Sequence, residues 1–100
     1  MNEILPGERC TTMAEVRAGV DALDRELVAL LRRRFDYMDA AARIKPARSA
    51  VRDEARKAQV IAQARDAAER LQLPGAAVAA MWETLVEASI AYELAAFDAR

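Results

Sequence analysis

The stretch TMAEVRAGVDALDRELVALLRRRFDYMDAAARIKP, residues 12–46, decides the fold. Thr12-Met13-Ala14-Glu15 has the form of a capping box, in which a threonine hydroxyl and a glutamate carboxylate satisfy the free backbone amides at a helix start. From there Val16, Val20, Leu23, Leu27, Leu30, Leu31, Met38 and Ala41 recur at helical spacing, and no proline intervenes before Pro46. The pattern predicts one helix from Thr12 to about Lys45. At 1.5 Å per residue it would be roughly 50 Å long, whereas a compact domain of this size has a radius of gyration of about 13 Å. Such a helix does not fit inside a compact monomer, and the rest of the chain is too short to cover its apolar stripe. A second copy of the chain is the simplest cover.

Working outward, residues 46–53 read as a loop by their proline and serine, with Asp53 placed to cap the next helix. Val60, Ile61, Ala64, Ala68 and Leu71 mark the inner side of that second helix, which should stop near Leu73-Pro74-Gly75. A third helix begins after Gly75, with Val78, Trp82, Leu85, Val86, Ile90 and Phe97 on its apolar side. The expectation is an all-α fold, a three-helix subunit with one long N-terminal helix in an intertwined homodimer. Residues 1–100 form a single domain in this reading, and residues 1–11 an N-terminal extension.

Composition agrees and excludes several function classes. Hydrophobic residues make up 54%, the formal charge is −1, and glycine and proline number three each, which suits a soluble helical chain. No apolar run approaches the roughly 18 to 20 residues that span a bilayer, and MNEILPGERC lacks the charged-then-apolar pattern of a secretory leader, so a cytoplasmic location is expected. With one cysteine, Cys10, and no histidine, the chain cannot build an intrachain disulfide, a His/Cys metal site or a Ser-His-Asp triad. Cys10 reads as an incidental thiol ahead of the first helix. The Arg32-Arg33-Arg34 run raises nucleic acid as a partner, but 16 acidic residues against 15 basic ones and the lack of a basic, aromatic-interleaved stripe argue against it.

Four polar residues fall where apolar ones belong. Projected at about 100° per residue, Arg34 and Lys45 lie within roughly 20° of Leu27, in the middle of the stripe to be buried. Ser89 and Glu93 share the arc of Trp82, Val86 and Phe97. Burying an unpaired charge costs several kcal/mol, so these groups either pair within the protein, Glu93 with Lys45 or Arg34, or face a pocket that receives an anion. Arg17, at the edge of the stripe, precedes Arg34 by 17 residues, roughly 25 Å of helix. If both serve one small ligand, Arg17 must come from an antiparallel partner chain.

Taken in order, Val16-Arg17, Val20-Asp21, Leu23-Asp24, Leu30-Leu31-Arg32-Arg33-Arg34, Ala41-Ala42-Arg43-Ile44-Lys45, Val51-Arg52-Asp53 with Arg56, and Glu87-Ala88-Ser89-Ile90 leading to Glu93 resemble the all-helical chorismate mutases and their relative isochorismate pyruvate lyase. The resemblance runs from Met13 to Phe97. It implies a dimer with two equivalent sites, each lined by Arg34, Lys45, Asp53, Arg56, Ser89 and Glu93 of one chain and Arg17 of the other. Arginines at the positions of Arg17, Arg34 and Arg56 hold the two carboxylates of chorismate, a task that suits the planar guanidinium fork. Lys45 donates to the ether oxygen that gains charge as its bond to the ring breaks, and Arg34, Lys45 and Glu93 are the implied catalytic groups. No cofactor, metal or nucleophile is needed, because bonds shift in one cyclic step once the substrate is held compactly.

Two departures from the family pattern stand out. Glu93 occupies a place where many members carry glutamine, and a glutamate donates only when protonated, so the rate should fall as pH rises. Burial favours that protonated form and Lys45 opposes it. Lys57 stands where mutases often have a glutamate that contacts the ring hydroxyl together with the residue matching Asp53. The loss of that contact leaves substrate choice open and favours the lyase, but Val51-Arg52-Asp53 looks more like a mutase, so the activity that the resemblance implies is chorismate mutase, giving prephenate for aromatic amino acid biosynthesis. Isochorismate pyruvate lyase, whose pattern also shares Cys10-Thr11, and a non-catalytic metabolite-binding dimer are the alternatives. The chain is too short for a separate regulatory domain, so no feedback control by amino acids is expected.

Overall fold

A computed structural model describes residues 4–100. Its regular structure is a 3-10 turn at Gly7–Arg9, helix α1 at Met13–Ile44, a second 3-10 turn at Arg48–Ala50, α2 at Glu54–Arg70 and α3 at Gly75–Asp98. The three predicted helices, the first of them long, are all present. The chain divides within α1 into one unit ending at Asp36 and another from Tyr37 to Arg100, each with its own internal packing. None of the described helices is long and apolar enough to cross a membrane.

In the first unit the capping box forms as expected. The Glu15 amide donates to Thr12 Oγ1 at 3.2 Å, and Glu15 Oε1 accepts from the Thr12 amide at 3.0 Å. The same carboxylate also accepts the Thr11 amide at 3.0 Å. That bond comes first among the hydrogen bonds that lower the Glu15 pKa. Of the N-terminal extension, residues 1–3 lie outside the described residues. Ile4, Leu5, Pro6 and Cys10 join Val16, Val20 and Leu23 in lining an apolar groove of about 310 Å³. Most of the apolar stripe remains open to solvent, with Leu23 at 59% and Leu27 at 57% exposure, and Val20, Leu30 and Leu31 exposed as well.

In the second unit α2 packs on α3 around Val51, Val86 and Ile90, with Val60, Ile61, Trp82, Leu94 and Phe97 against them. The inner faces read from spacing hold at Val60, Ile61, Trp82, Val86, Ile90 and Phe97. Leu71 does not follow, being 73% exposed. The physical reason is that α2 stops at Arg70, short of Leu73-Pro74-Gly75. Gln72 takes a left-handed conformation with φ of 60°. Its amide reaches Glu69 O at 3.0 Å, and the Leu73 amide reaches Ala68 O at 2.9 Å. This is the Schellman ending, which glycine usually makes, and a glutamine there gives no sequence signal. Val51, read as loop, contributes a core side chain 4% exposed.

Candidate functional site

The site in the second unit is built where α1 ends. The Lys45 amide still donates to Ala41 O at 2.9 Å, so Lys45 continues the last turn of the helix before Pro46 breaks it. Its ammonium donates to Glu93 Oε2 at 2.7 Å and to the Val51 carbonyl at 3.3 Å. Glu93 is 4% exposed, as is Ser89 one turn earlier on α3, so both point inward as their spacing required. Removing one partner of a buried ion pair costs about 3–5 kcal/mol, and less here because the Lys45 side chain keeps 30% of its exposure. The Ser89 hydroxyl donates to Leu85 O at 2.7 Å, within its own helix.

Asp53 caps α2 as expected, accepting the Arg56 amide at 3.0 Å. The Arg56 guanidinium is exposed and donates to Gln59 Oε1, one turn along the same helix, at 2.7 Å. Cap and guanidinium thus sit together at the start of α2. Arg17 and Arg34 lie on α1 in the first unit, Arg17 exposed and Arg34 half-buried. The structure therefore brings Lys45 and Glu93 into direct contact, with Ser89 a turn away, and holds Asp53 beside Arg56.

Lys57, the second departure from the family pattern, is bound to Glu83 Oε1 at 2.7 Å and Glu87 Oε2 at 2.8 Å. Glu87 also receives Arg52 Nη2 at 2.8 Å, and Arg52 reaches Glu54 at 2.9 Å. These bonds tie the loop and the start of α2 to α3. Hydrogen bonding from Arg52, then from Lys57, pushes the Glu87 carboxyl down to about 2, and Glu83 and Glu87 push Lys57 up. An open groove of about 380 Å³ beside this network, lined among others by Lys57, Ile61, Arg65 and Glu83, includes none of the seven residues singled out from sequence. Among the described residues no three His, Cys, Asp or Glu side chains converge as a metal site.

Sequence reasoning overlooked Arg100. Its Nη1 donates to Lys45 O at 2.7 Å and Ala42 O at 3.1 Å, and its guanidinium lies 3.8 Å from the centroid of the Phe97 ring. A signal for it existed. Pro46 stands four residues after Ala42 and has no amide to give, so the Ala42 carbonyl needed another donor.

A helical chain with a lysine and a buried carboxyl joined at the end of its long helix, and arginines on the same helix, matches one known class. The model of the chorismate mutase type II family covers residues 16–94, and the chain belongs to that family. It is also similar to isochorismate pyruvate lyase of Pseudomonas aeruginosa, with 41% identity over 44 residues, 44% of this chain and 44% of that protein. The match thus spans less than half the length of that relative.

Proposed function

We propose that this chain is a chorismate mutase, converting chorismate to prephenate as a homodimer. The observation that carries the reading is membership of the chorismate mutase type II family; in this member Lys45 and Glu93 stand 2.7 Å apart with Glu93 buried. An ammonium fixed at that point donates to the ether oxygen as its bond to the ring breaks, so it binds the transition state more tightly than the substrate. Arg34 and Arg56, with Arg17 from the second copy, hold the two carboxylates. Asp53 and Ser89 complete the polar lining. Glu93 donates alongside Lys45 once it carries a proton; in the free protein it accepts from Lys45 instead.

A second reading, isochorismate pyruvate lyase, is supported by the similarity to the Pseudomonas aeruginosa protein. Lys57 also bears on it. Its ammonium is held by Glu83 and Glu87 and supplies no acceptor to a ring hydroxyl, the group whose position distinguishes the two substrates.

The deciding assay mixes purified protein with chorismate and, separately, with isochorismate, and identifies the products. Prephenate is expected. Salicylate with pyruvate from isochorismate establishes the lyase instead, and no turnover of either substrate leaves a binding protein. In the same assay Glu93→Gln, whose amide always offers a donor beside Lys45, should keep or raise the wild-type rate. A glutamine variant that turns over neither substrate removes Glu93 from the mechanism.

A further inference from the structure

We infer that Arg100 is a positioning residue that sets the place of the Lys45 ammonium. This deepens the proposed function, and its catalytic part rests on that reading. The need arises from sequence. In an α-helix the carbonyl of each residue is satisfied by the amide four residues on, and the last four carbonyls lose that partner. Ala42 would be served by residue 46, which is proline. Ala42 is only 2% exposed, so water is a poor substitute, and a buried carbonyl without a donor is costly. Arg100 supplies the donor from α3's side of the unit.

One nitrogen, Nη1, bridges the Ala42 carbonyl at 3.1 Å and the carbonyl of Lys45 itself at 2.7 Å. The guanidinium is backed by the Phe97 ring at 3.8 Å. Two residues before Arg100, the last residue of α3, Asp98, receives Arg48 Nε at 2.9 Å, joining the loop after Lys45 to the same end of the helix. A positive group at this point also complements the negative end of the helix dipole. The consequence is geometric. The Lys45 backbone is fixed on its carbonyl side by Arg100 and on its amide side by Ala41, at 2.9 Å. This fixes the starting point from which its side chain reaches Glu93. Glu93 lies on the same helix, α3, that leads to Arg100, so a single helix fixes both ends of the lysine. Catalysis that depends on a donor placed against a particular oxygen loses about tenfold to a hundredfold when that donor shifts by about 1 Å.

The experiment compares Arg100→Ala and Arg100→Lys with wild type in two measurements: kcat and KM, and amide hydrogen exchange followed residue by residue. Arg100→Ala is expected to lower kcat about tenfold or more with little change in KM. Exchange should quicken at residues 45–51 while the core amides of Val86 and Ile90 keep their protection. Arg100→Lys keeps the charge but loses the planar fork and the stacking, so it should recover part of both effects. Combining Arg100→Ala with Lys45→Met should cost no more kcat than Lys45→Met alone, because a residue that acts through Lys45 has nothing to position once the ammonium is gone. Unchanged kcat and exchange in Arg100→Ala, or faster exchange spread evenly over α2 and α3, overturns the inference. Wild-type protein that turns over neither substrate defeats the functional reading, and the exchange pattern then decides alone whether Arg100 fixes the end of α1.

Discussion

Glu87 shows how one carboxylate can organise a surface. It accepts from Arg52 at 2.8 Å and from Lys57 at 2.8 Å, and these bonds hold its pKa at about 2 against an ordinary 4.5. A carboxyl whose folded pKa lies below its unfolded one contributes stability that is complete above about 4.5 and disappears as pH falls toward about 2. Glu87→Gln should therefore flatten the decline of the urea unfolding midpoint between pH 4.5 and 2 relative to wild type. Some slope persists, because Arg48 holds Asp98 low and the Thr11 amide holds Glu15 low. Equal slopes in the two proteins would show that the network contributes nothing. At this scale helical spacing alone revealed that Ser89 and Glu93 face inward. It left open which cation Glu93 meets, since Lys45 and Arg34 lie on one face of α1 and either could reach an inward carboxylate.

Helix starts were legible because they depend on side chains a few residues apart, as at Thr12 with Glu15 and at Asp53 with the Arg56 amide. Helix ends were less so. α2 turns at Gln72 with φ of 60°, a conformation that costs a residue with a Cβ about 1–2 kcal/mol. Glycine removes that cost and returns part of the gain as unfolded-chain entropy. Gln72→Gly should then stabilise the protein by about 0.5–1 kcal/mol, read as a higher midpoint in thermal or urea unfolding. A lower midpoint would mean that the glutamine side chain contributes contacts that outweigh the strain. Leu71 was misassigned for the same reason: periodicity assumes that the helix continues, and the local Schellman turn ended it at Arg70, one residue earlier.

For the whole molecule, the exposed stripe of α1 governs what to expect in solution. Val20, Leu23, Leu27, Leu30 and Leu31 are each exposed on one helix, an apolar run of the kind that monomeric proteins rarely leave in water. With the homodimer proposed above, sedimentation equilibrium should return twice 11.0 kDa, and Leu27→Glu should shift the population toward the single-chain mass. A wild-type protein that stays at the single-chain mass at micromolar concentration would remove the dimer, and with it the contribution of Arg17 from a second copy. The long helix, its cap, the three-helix order and the inward polar residues were determined by the sequence alone, because each follows from contacts within a few turns of one helix. The Lys45–Glu93 pair, the Lys57–Glu83–Glu87 network and the Arg100 cap were decided only by the tertiary structure. They join residues 26 to 58 positions apart, and no local periodicity specifies which of several like-charged side chains meets a given carboxylate or carbonyl once the helices pack.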